Sequence, residues 1–225
     1  MPVAKEWKAI FDPCKLSEQG QRWCPDMSKS LWLDASGAAM WSLVDHYTGR
    51  VGYKGGIKAS GLDADPPIID CSGWVALLLS AGMEAANQAA NRALFNRHDV
   101  AAVDTWSDRM IEELEQRSGG ILEGDWISLD TLPPYATIGL RQGGGAWAKN
   151  HPRPRGITHV VQIVRRPDDG APFVSEAQGW SEPRGLRLMP LPNWLDVTRA
   201  YLKRGEAWAV NPFAERSDRM SDAAN

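Results

Sequence analysis

The residue with the clearest chemical potential is Cys71, in the stretch from Ile69 to Val75. Pro66–Pro67 keep the approach to this stretch extended, and the apolar run 76–79 is typical of a helix. Asp70 can accept hydrogen bonds from the first helical turn, so it is the predicted N-cap. Cys71 would then lie at a helix N-terminus, where the dipole favours a thiolate and thus a nucleophile. The alternative is a structural thiol, because free cysteine is often buried.

A nucleophilic cysteine needs a base, and the chain contains four histidines. His159 lies in 158–164, the strongest strand pattern in the sequence. A histidine at a strand edge that faces a helix N-terminus is the usual arrangement of a cysteine–histidine pair, so His159 is the predicted base. The alternative is a structural histidine with satisfied hydrogen bonds. The others are His46 on a helical face, His98 in a polar segment and His151 in a glycine-rich loop.

The secondary-structure elements that must position these residues are mostly helices in the first half of the chain and mostly strands in the second half. Apolar spacing predicts the helices 36–47, 70–80, 84–96, 103–116 and 193–201. Alternation and turn residues predict the strands 124–129, 158–164, 173–178, 186–191 and 207–210. The proline- and glycine-rich segment 132–156 is predicted to be a long loop. This order predicts an α+β fold, with N-terminal helices packed on a central antiparallel β-sheet.

The chain of 225 residues is long enough for one domain. We expect residues 1–34 to form an extension packed on the domain, 35–214 the catalytic domain, and 215–225 a flexible tail. The net charge of −3 gives no electrostatic reason to expect nucleic acid as a partner. No stretch approaches the roughly 20 apolar residues of a membrane helix, so no membrane insertion is expected. The N-terminus lacks a secretory signal, so we expect synthesis in the cytoplasm.

The three cysteines are an odd number. Cys14 and Cys24 could form a disulfide in an oxidising compartment and leave Cys71 free, or all three could be reduced. They occur without a Cys-x-x-Cys pair or a nearby histidine, so we expect neither a metal site nor a cofactor.

Four motifs in order resemble the NlpC/P60 family of papain-like cysteine peptidases. They are Tyr53–Gly56, Asp70–Val75, Gly124–Ile127 and His159–Ile163. The family pattern is a tyrosine before a Gly-Gly loop, an Asp-Cys-Ser-Gly helix start, a Gly-Asp strand and a His-Val strand. The resemblance covers roughly residues 38–180 and implies a papain-like fold.

The resemblance also implies roles for individual residues. Cys71 matches the nucleophile and His159 the base. The third residue of the family lies on the strand after the base, where this chain has no histidine; Glu176 fits best. Because successive side chains of a strand point to opposite faces, Gln178 lies on the same face as Glu176 and Ser175 lies on the other face. The residues that would bind the oxyanion or the substrate are Tyr53, Asp70, Ser72 and Gln178.

The implied substrate is a peptidoglycan stem peptide, cleaved between D-glutamate and a diamino acid through a thioester. We expect the protein to act in the periplasm or cell wall. Delivery would be by a secretion system, as for type VI secretion amidase effectors that are interbacterial toxins, or by a phage lysis system. A toxin would need an immunity protein as partner. Cys71 and His159 are farther apart in the sequence than the matching residues of simple NlpC/P60 family members. This indicates a substrate groove of a different shape.

Two other functions remain open at this point. A papain-like acyltransferase or deamidase would use the same thioester with another acceptor. A non-catalytic module could bind glycan or protein through a surface rich in tryptophan, of which the chain has 11.

Overall fold

The computed structural model describes the backbone of residues 15–16, 22–23, 27–143 and 153–214, and the side chains of 31–143 and 153–214. The predictions for Cys14, Cys24, His151 and the tail 215–225 lie outside these residues. The helices are α1 (Met27–Tyr47), α2 (Cys71–Ala90), α3 (Arg97–Ala102), α4 (Ser107–Ser118) and α5 (Leu191–Lys203). Short 3-10 turns lie at Ala59–Asp63 and Gly124–Trp126.

The strands are mostly short and lie between and after the helices. They are β1 (Lys15–Leu16), β2 (Arg22–Trp23), β3 (Gly52–Tyr53), β4 (Ile68–Ile69), β5 (Leu122–Glu123), β6 (Thr137–Leu140), β7 (His159–Arg165), β8 (Pro172–Gln178), β9 (Gly185–Pro190) and β10 (Ala207–Val210). Six form one antiparallel sheet in the order β5-β10-β6-β7-β8-β9. A parallel pair, β3 and β4, lies outside this sheet. The predicted α+β class is confirmed.

The sheet has a hydrophobic core on each face. On one side α1, α2 and α4 pack with residues such as Trp74, Met110 and Val160. On the other side α5 packs Trp194 against Val161 and Val174. The two cores follow from alternation along β7 and β8, whose successive side chains point to opposite faces. The sheet is therefore covered by a hydrophobic core on each face.

Several element boundaries differ from the predictions. Helix α1 begins at Met27 rather than residue 36. Helix α2 continues through Gly82 instead of ending there. A Cβ at this position would lie 2.8 Å from the Phe213 ring, so the glycine permits close packing of the helix against Phe213. Helix α2 ends at Ala90, where Asn91 adopts the left-handed conformation. The predicted helix 103–116 is the shorter α4, preceded by α3.

One strand prediction was wrong, and so was part of one loop prediction. The segment 124–129 contains a 3-10 turn instead, with Gly124 at φ +55° and Trp126 exposed to solvent. The predicted loop 132–156 contains β6, whose four residues are all buried. Local composition concealed this strand, because it is short and flanked by prolines and glycines.

Candidate functional site

Helix α2 begins at Cys71, and its cap is the residue that the sequence predicts. The Asp70 carboxylate accepts a hydrogen bond of 2.6 Å from the backbone N–H of Gly73. Cys71 is consequently held in the first turn, near the positive end of the helix dipole. Cys71 is 5% exposed and belongs to the hydrophobic core between the sheet and helices α1, α2 and α4.

The loop that follows Tyr53 is attached to this cap. The other oxygen of the Asp70 carboxylate accepts from the backbone N–H of Gly56 at 3.0 Å, and the Asp70 N–H donates to the Ile57 carbonyl at 2.7 Å. Lys58 donates to the Ser72 hydroxyl at 2.5 Å and lies 3.6 Å from Asp70. Asp70 therefore fixes both the helix start and the glycine-rich loop.

Tyr53 lies close to the candidate nucleophile. Its strand β3 pairs in parallel with β4, so Tyr53 lies opposite Ile69 in the register. Burial, together with the negative charges of Cys71 and Asp70, raises the pKa of the Tyr53 phenol well above its ordinary value. The phenol consequently stays protonated at physiological pH and can donate a hydrogen bond. Gly179 lets the loop after β8 pack against the Tyr53 ring.

His159 and Glu176 form a buried hydrogen-bonded pair. The register aligns Gln162 with Ser175, so His159 and Glu176 share the opposite face of the sheet. His159 Nε2 lies 2.8 Å from Glu176 Oε2, and both side chains are 2% exposed. Burial raises the pKa of the Glu176 carboxyl, but His159 and Arg187 together hold it below its ordinary value. Because an ionised carboxylate only accepts, Nε2 carries the proton.

The second ring nitrogen of His159 remains for Cys71. Nδ1 is buried and makes no hydrogen bond of normal geometry within the described residues. Burial lowers the pKa of His159, but the hydrogen bond with Glu176 and the charges of Cys71 and Glu176 outweigh it and raise the pKa to about 9. Contacts between catalytic groups are often long until a substrate tightens them. The structure thus brings together Cys71, His159, Glu176 and Tyr53.

Two residues near this cluster were not predicted from the sequence. Arg187 lies opposite Glu176 in the β8–β9 register and donates to its Oε1 through Nε at 2.7 Å. Trp180 lies edge-to-face on the His159 ring, with ring centroids 4.5 Å apart, while half of its surface stays exposed. The sequence feature that could have identified Arg187 is its positive charge, opposite to that of Glu176, on the next strand along the chain. Trp180 has no such feature, since it lies in an irregular loop.

Two predicted site residues have their polar atoms engaged elsewhere. The Gln178 amide braces the loop that follows β8: its nitrogen donates to Ser181 and Pro183, and its oxygen accepts from the N–H groups of Trp180 and Ser181. The Ser72 hydroxyl contacts Lys58 and Asp70. Both residues therefore support loops that border the site. Ser175, on the opposite face as predicted, accepts from the Trp74 indole at 2.9 Å.

Two cavities lie near the cluster. One of about 290 Å³ borders the carboxylate and is lined by residues that include Glu176, Arg187, Trp180 and Tyr201. The other, of about 690 Å³, lies beyond Lys58 between α2 and α3 and has none of the reactive side chains in its lining. The smaller cavity therefore meets the cluster at Glu176, while Cys71, His159 and Tyr53 are not among its lining residues.

We predict that Asp70→Ala lowers the free energy of unfolding by about 2–5 kcal/mol. The change removes an N-cap, which contributes about 0.5–2 kcal/mol, and the charged acceptor of the Gly56 N–H, which adds about 1.5–3 kcal/mol. Urea denaturation followed by circular dichroism measures the effect. The matched control is Asn96→Ala, which removes the N-cap of α3 and should cost about 1 kcal/mol. Equal costs would contradict the anchoring role of Asp70.

We predict that His159 titrates near pH 9 rather than near its ordinary value of 6.5. Because its pKa is raised on folding, the stability that it contributes is fully present below pH 6.5. That contribution is lost as the pH rises through about 9. NMR of the histidine ring nitrogens measures the titration. Cys71→Ala is the control and should lower the pKa, because the thiol is one of the groups that raise it. An inflection at or below 6.5 in the wild type contradicts this prediction.

Within 31–143 and 153–214, His, Cys, Asp and Glu side chains form no group of three that could hold a metal ion. In the same part of the chain, no helix combines the length and apolar content needed to cross a bilayer.

Comparisons of the chain with protein-family models, with curated proteins and with solved structures found no match.

Proposed function

We propose that this chain is a cysteine hydrolase with a papain-like fold of the NlpC/P60 type. The observation that carries the proposal is the 2.8 Å contact of His159 with Glu176, adjacent to a cysteine at a helix start. A nucleophile, a base and a residue that orients the base are the parts that acyl transfer requires. Packing of α2 on an antiparallel sheet supports the proposed fold.

In the proposed mechanism the Cys71 thiolate attacks the carbonyl carbon of an amide, and His159 begins as an imidazolium held by Glu176. The oxyanion accepts hydrogen bonds from the backbone N–H of Cys71 and from the Tyr53 hydroxyl. His159 gives its proton to the leaving amine, and a thioester to Cys71 remains. Water then attacks the thioester and transfers a proton to His159, which releases the acid and restores the pair.

We propose that the amide belongs to a peptidoglycan stem peptide and joins D-glutamate to a diamino acid. The ordered motifs shared with the NlpC/P60 family support this substrate. A second support is Arg153, whose guanidinium interacts electrostatically with Cys71. A cation near the nucleophile suits a substrate that carries carboxylates, as both of these amino acids do.

The proposed substrate lies outside the cytoplasmic membrane of bacteria. We therefore propose that the protein acts in the periplasm or cell wall, as an interbacterial toxin delivered by a secretion system or as a phage lysis enzyme. In a toxin, an immunity protein that covers the Cys71 site would protect the producing cell.

Digestion of purified peptidoglycan tests the proposal. New muropeptides separated by chromatography and identified by mass spectrometry should show one added water per cleaved amide, with a free amine on the diamino acid. Cys71→Ala is the control. Unchanged muropeptide profiles with wild-type protein would refute the substrate, and products that carry an added acceptor would indicate transfer instead of hydrolysis.

A further inference from the structure

The two oxygens of the Glu176 carboxylate have separate partners. Oε2 contacts His159 Nε2 at 2.8 Å, whereas Oε1 accepts a hydrogen bond from Arg187 Nε at 2.7 Å and lies 2.6 Å from Nη2 as an ion pair. Arg187 also donates through Nη1 to the Ser181 hydroxyl at 3.2 Å. One guanidinium therefore holds the carboxylate from the side opposite the imidazole.

We propose that Arg187 is a positioning residue of the Cys71–His159–Glu176 triad. It occupies Oε1 so that Oε2 alone faces His159, and it ties the loop that carries Trp180 to the same carboxylate. This inference rests on the proposed function, and it names a residue that acts through Glu176 and does not touch the substrate carbonyl.

Burial makes this cation necessary. Glu176 is 2% exposed, and a buried carboxylate without a partner takes up a proton. The charged groups that face it are His159 from β7 and Arg187 from β9. Those that interact with Cys71 are His159, Tyr53 and Arg153, and Asp70 acts in turn on Tyr53. Of the residues that the structure describes, Arg187 supplies the permanent positive charge to the carboxylate itself, since His159 titrates.

The geometry also requires a guanidinium. A planar fork can present two donors to one oxygen and a third to another group, whereas an ammonium is a point charge on a flexible stem. Nε and Nη2 meet Oε1 while Nη1 reaches Ser181, whose backbone N–H is held by Gln178. Trp180, the neighbour of Ser181, lies on the His159 ring. The fork thus links the loop, the carboxylate and the imidazole.

The test measures the reactivity of Cys71 towards iodoacetamide between pH 5 and 10, with the modified peptide quantified by mass spectrometry. In the wild type, the triad should maintain rapid alkylation at acidic pH. In Arg187→Gln, protonation of Glu176 should move the acidic limb up by about one pH unit, which slows alkylation on that limb about tenfold. Arg187→Lys should keep the limb near its wild-type position but react more slowly, because the charge remains and the fork is lost.

The matched control is Arg166→Gln. Arg166 also contacts a carboxylate, that of Asp169, through Nε and Nη2, but this pair is exposed at the turn between β7 and β8. Its alkylation profile should equal that of the wild type. In a Glu176→Gln background, Arg187→Gln should have little further effect on the profile, because Arg187 acts through the carboxylate. Thermal melts verify that each variant is folded.

The outcomes separate two failures. If wild-type Cys71 reacts no faster at acidic pH than a free cysteine, the proposed function fails. If wild-type Cys71 is activated but folded Arg187→Gln has the same profile, only the role of Arg187 is overturned. If Arg187→Gln does not fold, Arg187→Lys decides: rates equal to wild type at every pH would overturn the inference.

Discussion

Replacement of Cys71 by alanine should abolish amide hydrolysis, with an expected loss of about 10⁶-fold in kcat, the size seen when a triad nucleophile is removed. Cys71 is the only sulfur that the described residues bring to His159. Without it no thioester forms, and water must attack the amide directly. The measurement is the rate at which new amino groups are released from purified peptidoglycan.

The fold should survive this change. Cys71 lies in the first turn of α2, and the helix is capped by Asp70 rather than by the thiol. Cys71→Ala should therefore melt within a few degrees of the wild type, and Cys71→Ser, which keeps the side-chain shape, should be similarly inactive. Hydrolysis by folded Cys71→Ala at more than about a hundredth of the wild-type rate would contradict a nucleophilic role.

Replacement of Glu176 by glutamine should reduce kcat by about 10⁴-fold, by analogy with loss of the orienting carboxylate in a serine triad. The amide can present either a donor or an acceptor to His159, so it no longer fixes the ring with its proton on Nε2. Loss of the negative charge should also lower the pKa of His159, because Glu176 is one of the groups that raise it. Peptidoglycan hydrolysis measured across pH reports both effects.

The control for this change is Glu206→Gln. Glu206 Oε2 likewise accepts a hydrogen bond from one arginine, Arg204 Nε at 2.6 Å, and lies 2.6 Å from Arg204 Nη2. It contacts no histidine, so its replacement should leave kcat within about twofold, as is usual for a surface ion pair. If Glu176→Gln were equally mild, the third member of the triad would have to be another residue.

The parts of the site that the sequence predicts are those governed by local rules. Asp70 before an apolar run predicts the cap of α2, and the structure confirms it. Period-two alternation predicts that Ser175 and Glu176 lie on opposite faces of β8, and the contacts with Trp74 and His159 agree. Such inferences depend only on neighbouring residues.

The features of the fold and the site that the sequence does not predict depend on contacts between residues distant in the chain. Whether Gly82 ends a helix or permits close packing is decided by Phe213. The role of Arg187 depends on the β8–β9 register, which the sequence leaves unspecified. Gln178 lies on the predicted face, yet its amide is taken up by the backbone of the following loop. No local pattern distinguishes it from Glu176.

The parallel pair of β3 and β4 has an evolutionary consequence. It fixes Tyr53 beside Ile69 whatever lies between them, and Asp70 anchors the intervening chain as far as Lys58. The exposed residues 59–60 and 63–66 can therefore be exchanged, and the loop at 63–66 can be lengthened, since doubling a loop costs only about 0.6 kcal/mol. Gly61 between them is fixed, because a Cβ there would lie 2.2 Å from the Ile68 carbonyl oxygen. Ala59 and Ser60 line the larger cavity, so diversification there would reshape it without disturbing the reactive groups. Evolution can thus vary the exposed positions of this segment while the reactive groups keep their places.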